Sequence, residues 1–269
     1  MGRCGGAGLT LPGGGGLTVA WRGLLLDVGG VLQAGGALLP GAAGAVDALR
    51  ARGIPFRLLS NTTSRSRASL AAELRRAGLP VAAEDLLTAT GATAAHLRGV
   101  GGTSLLIVSA GAREDLAGLP EDPEHPAHVV LGDTDAAFSR PVLNRAFRAL
   151  CAGADLVAMA RNRWYAGAAG PAIDIGAAVA ALEYAAGVRA TVTGKPSPAF
   201  FRAGIAALGL PPSEVAMVGD DPEADIAGAL AAGLGAVWVG EPSAWPPGLP
   251  GRPQAVIASA EAIPGLVGP

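Results

Sequence analysis

The chain has 269 residues and a mass of 26.4 kDa; half of its residues are hydrophobic and 16% are charged. A chain of this length buries roughly three quarters of its unfolded surface, and so little charge excludes disorder over most of it. A net charge of −2 and a pI of about 5.9 argue against nonspecific binding to nucleic acid or an anionic membrane.

In chain order, residues 1–19 are rich in glycine where a secretory signal needs an apolar run. They read as a flexible tail, or as a stretch upstream of the true start. Residues 21–26 form an apolar run ending in Asp27-Val28-Gly29-Gly30, the pattern of a buried parallel strand opening into a tight loop. Residues 40–52 carry Ala43, Val46 and Leu49 at helical spacing and stop at Gly53. A second strand, 56–59, ends in Ser60-Asn61-Thr62-Thr63, and an amphipathic helix over 66–77 stops at Gly78. Strand alternating with helix predicts an α/β fold with a doubly wound parallel sheet.

The middle is less regular. Strands are expected at 104–108, 128–131 and 156–160, with helices at 144–152 and 177–186. After the third strand comes a polar-aromatic loop, Arg161-Asn162-Arg163-Trp164-Tyr165. The first pattern then returns. Strand 190–193 ends in Gly194-Lys195-Pro196, helix 198–208 ends at Gly209, and strand 215–218 ends in Gly219-Asp220-Asp221. Helix 225–232, strand 236–239 and a proline-rich surface loop, 242–253, complete the chain. The uncharged run 226–240 is 15 residues long, short of the roughly 20 that span a bilayer. Cys4 and Cys151 cannot build a disulfide framework, so a reducing cytoplasm is the expected compartment. Cys151, on an apolar helix, is expected in the core.

Of the 20 basic residues only Lys195 is a lysine. A codon bias that favours arginine has left this one in place, and arginine does not replace a compact point charge. Asp27, Ser60-Asn61, Lys195 and Asp220-Asp221 each follow an apolar strand. Ligands of open α/β sheets bind beyond the carboxyl ends of the strands. If one sheet carries all four strands, three carboxylates, a hydroxyl and an ammonium meet there. Alone, each has a structural explanation, since an aspartate after a strand is usually a helix cap and Ser-Asn is usually a turn. Together they suit phosphoryl chemistry. Asp27 and Asp220 are hard donors for Mg²⁺, and a carboxylate can attack phosphorus to form an aspartyl-phosphate. Ser60 and the Asn61 N–H can donate to phosphoryl oxygens.

These motifs resemble the haloacid dehalogenase superfamily over about residues 20–269. Its first motif, D-x-D-G-[TV], corresponds to Asp27-Val28-Gly29-Gly30-Val31. Its serine or threonine corresponds to Ser60, its lysine to Lys195 in Gly194-Lys195-Pro196-Ser197-Pro198, and its acidic motif to Gly219-Asp220-Asp221 and Asp225 before Gly228-Ala229. Residues 92–190 resemble the α/β cap of the class IIA branch, inserted into a core of 20–91 and 191–269. The resemblance implies a Mg²⁺-dependent phosphatase with Asp27 as nucleophile, and Asp27, the Gly29 carbonyl and Asp220 on the metal. Asp221 and Asp225 would stand behind them, and Lys195 would balance charge. The substrate would be a small phosphorylated molecule or an activated phosphate such as pyrophosphate or a P–N compound.

Arg161, Asn162, Arg163 and Trp164 of the cap loop would face the substrate; alternatively, the aromatic residues pack the cap core. Cap-bearing relatives often form homodimers, although no interface signal stands out in this sequence. Gly29 departs from the motif. The aspartate usual there protonates the leaving group and later activates water, and glycine does neither. That opens a rival reading, a weakened phosphate-binding or regulatory protein. A dinucleotide-binding oxidoreductase is disfavoured because no G-x-G-x-x-G follows the first strand.

Overall fold

The computed structural model describes residues 21–167 and 169–268; the expectation for 1–19 lies outside them. The chain divides into two compact units. One takes the chain up to Ser60, Ala71–Leu86 and Phe201–Pro269, and the other takes Asn61–Leu70 and Leu87–Phe200.

The first unit is built on a six-stranded sheet. Its order is Ala255–Ile257, Gly235–Val239, Val215–Gly219, Gly23–Asp27, Phe56–Ser60 and the edge strand Leu86–Thr88. The first five pair in parallel. Leu24, Leu25 and Leu26 are all fully buried. A strand covered on both faces reads as a continuous apolar run rather than an alternation, which is why this one is legible. The helix Ala42–Ala51 buries Ala42, Ala45, Val46 and Leu49, so Ala42 and Ala45 take the place predicted for Ala43.

The second unit has its own parallel sheet, in the order Thr191–Val192, Asp155–Ala158, His128–Leu131 and Ser104–Ile107. Alternate residues feed two cores. Leu105, Ile107, Val129, Leu131 and Leu156 pack with Leu150, Val179 and Leu182 from the helices Arg140–Cys151 and Gly176–Ala186. Leu106, Val130 and Val157 pack on the other side with Ala94 and Leu97 of the helix Ala89–Val100. Both units are thus α/β, as the alternation predicted.

Several expectations are corrected. The strand before Lys195 does not belong to the sheet that carries Asp27. It pairs with Asp155–Ala158, and Thr193 and Gly194 continue the ladder to the carbonyls of Ala158 and Met159 at 3.0 and 2.9 Å. Residues 191–200 therefore group with the second unit, not with the predicted core. So do 61–70. The Asp133 N–H donates to Thr63 Oγ1 at 3.0 Å, and Ser66 Oγ donates to Glu114 Oε2 at 2.6 Å.

The expected loop at 161–165 runs into a β-hairpin, Trp164–Gly167 with Gly170–Ile173. The helix Ala89–Val100 was not anticipated, because Gly91, Gly99 and two threonines blur its period; Thr88 caps it by accepting from the Gly91 N–H. The predicted helix 225–232 is a π-helical turn, Pro222–Ala227, followed by one α-turn, Gly228–Ala231. Cys151 is exposed, since Ala146 and Leu150 form the buried face of its helix. No helix among the described residues is long and apolar enough to cross a membrane.

Candidate active site

In the first unit, Asp27 ends the strand Gly23–Asp27, and Asp220 follows the neighbouring strand Val215–Gly219. One carboxylate oxygen each from Asp27, Asp220 and Asp225 lies within 4.8 Å of the others. Asp27 and Asp225 are buried and Asp220 is exposed. Ser60 ends the strand on the other side of Gly23–Asp27 and is buried. Three hard, anionic oxygen donors converging on one point suit a small divalent cation.

Local sequence explains the convergence. Asp221 Oδ1 accepts from the N–H groups of Glu223 and Ala224, both at 2.9 Å, and so caps the π-helical turn. In return Asp225 Oδ2 accepts from the Asp221 N–H at 3.2 Å. This is a reciprocal cap stretched by one residue, because the turn is π-helical rather than α-helical. The D-x-x-x-D spacing thus serves two ends. It closes the turn, and it brings the Asp225 carboxylate to the cluster. The family resemblance places Asp221 and Asp225 together behind the ligands. The structure separates them into a cap and a member of the cluster.

Two glycines make room for the acids. A Cβ on Gly219 would stand 2.3 Å from Asp225 Oδ2. A Cβ on Gly30 would stand 1.9 Å from Asp220 Oδ2, and Gly30 has φ +74°, where side chains are strained. Gly29 differs. It is exposed, its φ lies outside that region, and a Cβ there would meet nothing within 4 Å.

Asn61, Asn162 and Lys195 lie in the second unit. Asn61 grips the Lys195 peptide from both sides: its Oδ1 accepts from the Lys195 N–H at 2.8 Å and its Nδ2 donates to the Lys195 carbonyl at 2.9 Å. The same Nδ2 donates to Asn162 Oδ1 at 3.1 Å. An amide that matches a peptide in this way fixes the backbone from which the lysine side chain springs. Lys195 itself is buried, 3% exposed. This side-chain role of Asn61 was not foreseen, because its partner is 134 residues away.

Of the cap residues, Arg161 pairs with Glu183 at 2.5 Å, and the Arg163 carbonyl accepts from the Asp174 N–H at 3.2 Å. Trp164 and Tyr165 are 61% and 49% exposed, so neither fills the cap core. Burial raises the Asp174 carboxyl above its ordinary value, its bond to the Ile175 N–H offsets part of that, and the charge of Asp133 adds to the rise.

A haloacid dehalogenase-like hydrolase profile matches residues 24–119, and a HAD-hydrolase-like profile matches residues 192–260. The phospholysine phosphohistidine inorganic pyrophosphate phosphatase of Rattus norvegicus is 34% identical over 224 residues, covering 81% of this chain and 82% of its own. The chain belongs to the haloacid dehalogenase-like hydrolases. Haloacid dehalogenase-like hydrolase domain-containing protein 2 of Bos taurus is 34% identical, covering 82% and 84% of the two chains. The solved p-nitrophenyl phosphatase from Archaeoglobus fulgidus superposes with a TM-score of 0.86 at 26% identity, over 92% of this hydrolase and 100% of its own chain. NagD from E. coli K-12 gives a TM-score of 0.81 at 26% identity, over 90% and 98%. This hydrolase is a phosphatase.

Two outcomes are expected in phosphate-release assays. Lys195→Arg loses at least about tenfold in turnover, about 1.4 kcal/mol of transition-state stabilisation, because a planar guanidinium cannot stand in for a buried ammonium. Asn61→Ala, which frees the Lys195 peptide, falls by a similar factor with its circular dichroism unchanged. Full activity in the arginine variant would make the surviving lysine incidental. Full activity in the alanine variant would do the same for the amide grip.

Proposed function

We propose that this phosphatase works through an aspartyl-phosphate on Asp27, with Mg²⁺, on substrates whose leaving group needs no proton from the enzyme. The observation that supports the reading is the carboxylate cluster at Asp27. Asp27, Asp220 and Asp225 would hold the ion, with the Gly29 carbonyl as a further donor. Bound there, Mg²⁺ would supply positive charge against the phosphoryl oxygens.

An Asp27 oxygen attacks phosphorus, the bond to the leaving group breaks, and its electron pair departs with that group. Ser60 Oγ and the Asn61 N–H donate to the phosphoryl oxygens, and Lys195 takes the charge-balancing role that the family resemblance gives it. Water then attacks the phosphorus on Asp27, inorganic phosphate leaves, and the water's proton passes to solvent. Arg161, Asn162, Arg163 and Trp164 remain the proposed specificity residues, although Asn162 and Arg161 are already engaged by Asn61 and Glu183.

Gly29 selects the substrate class. General acid catalysis is worth about 10²–10⁴-fold, and alkyl phosphates depend on it. Phosphoanhydrides have a stable leaving group, and P–N compounds can be protonated by solvent beforehand. The rat relative's name carries phospholysine, phosphohistidine and pyrophosphate, which are compounds of these two kinds.

Asp27→Asn is expected to remain folded and to abolish turnover, because an amide is not a competent nucleophile; near-normal phosphate release from the purified variant would sink the covalent step. Gly29→Asp, for which the backbone has room, should raise turnover of sugar phosphates by about tenfold or more relative to pyrophosphate. The comparison is made on both substrate classes after matching thermal midpoints. Wild-type enzyme that already hydrolyses sugar phosphates as fast as pyrophosphate would refute the account of Gly29.

A further inference from the structure

The strand Gly235–Val239 runs beside Val215–Gly219, and Trp238 lies in register with Gly219. Asp220 is the next residue, beyond the last paired position. Here the indole N–H of Trp238 donates to the Asp220 carbonyl at 3.0 Å. Just past the strand's end, the Gly240 N–H donates to the Ile257 carbonyl at 3.0 Å, on the opposite side from Asp220. A side chain thus extends the sheet's hydrogen bonding by one step, to the residue that bears an acid of the cluster.

The indole is held on two sides. A Cβ on Gly240 would stand 2.7 Å from ring atoms Cε2 and Cζ2, so only glycine leaves that space. Trp245, from the proline-rich loop, meets the ring edge-to-face with centroids 5.2 Å apart and planes at 78°, a favourable aromatic geometry. Trp238 itself is 5% exposed. The Asp220 carboxylate occupies the space a Cβ on Gly30 would need, 1.9 Å from Oδ2. The Asp220 peptide is thus held by the indole, while its carboxylate lies in the space that glycine at position 30 leaves open.

We propose that Trp238 is a positioning residue for Asp220: its N–H, seated by Gly240 and Trp245, holds the Asp220 peptide so that the carboxylate stands ready for a divalent cation. The proposal rests on the reading of Asp27, Asp220 and Asp225 as a metal site. A well-placed donor lowers the cost of gathering the three acids before the cation arrives. Its loss should appear in cation affinity rather than in folding.

The test uses the whole protein stripped with EDTA and Mn²⁺ as the probe, with free Mn²⁺ counted by electron paramagnetic resonance. Trp238→Phe keeps a ring and removes the N–H. It should raise the Mn²⁺ dissociation constant about three- to tenfold, the worth of one hydrogen bond, with the EDTA thermal midpoint little changed. Gly240→Ala keeps the N–H but displaces the ring, and should weaken Mn²⁺ by a similar factor; it decides the matter if Trp238→Phe folds poorly. In wild type, Mg²⁺ should shift the tryptophan emission, and the shift should vanish in Trp238→Phe although three tryptophans remain. Wild-type Mn²⁺ affinity in the variants, or a Mg²⁺ shift that survives in Trp238→Phe, overturns the proposal alone. Wild-type protein that binds no Mn²⁺ overturns the metal-site reading as well.

Discussion

Three carboxylate oxygens within 4.8 Å of one another repel. At the effective dielectric of a protein surface, a pair at that separation costs on the order of 3 kcal/mol, less where the exposed Asp220 is screened by water. The first unit is arranged to hold that repulsion. Asp27 is carried on a strand buried along its whole length, and Asp225 on a turn whose cap it helps to close. Asp220 has its peptide held by Trp238 and its carboxylate in the space left by Gly30. None of these supports is chemical in itself, yet each fixes one member of the cluster. A divalent cation among the three acids would turn the repulsion into attraction.

Four of the six strands of the first unit's sheet, Gly23–Asp27, Phe56–Ser60, Val215–Gly219 and Gly235–Val239, are legible because each is short and apolar, whereas the three-residue strands Leu86–Thr88 and Ala255–Ile257 are too short to show a pattern. Burial on both faces of a parallel strand leaves no polar side to confuse the pattern. Which strands share a sheet is not written in that pattern. Thr191–Val192 reads like the others, and its partner, Asp155–Ala158, is specified by tertiary packing alone. The sequence therefore located Lys195 and misassigned its sheet. The hairpin after Arg163 was hidden for a different reason. Trp164 and Ile173 face each other across it and both are largely exposed, so the described residues of the strands show no buried face whose period could be read.

The acidic motif shows how far a spacing can be read. Asp220, Asp221 and Asp225 were recognisable as a set, but their division of labour depends on whether the turn is α- or π-helical. An α-turn would present the residue at i+3 to the cap, whereas the turn here presents Asp225 at i+4. The Asn61 grip on Lys195 was out of reach for a similar reason, since a pair of bonds across 134 residues leaves no local trace.

The neighbouring glycines at 29 and 30 look equivalent in sequence and are opposite in structure. Gly30 is obligatory, because a left-handed φ and the Asp220 carboxylate leave no place for a side chain. Gly29 is under neither constraint, since it faces open space in an ordinary backbone conformation. No steric demand of the fold therefore accounts for the missing acid. The backbone that presents Asp27 leaves room for a Cβ two residues on. What Gly29 changes is chemistry alone. On the proposed mechanism it leaves the nucleophile and the cluster in place and withholds the group that would deliver a proton to the departing atom.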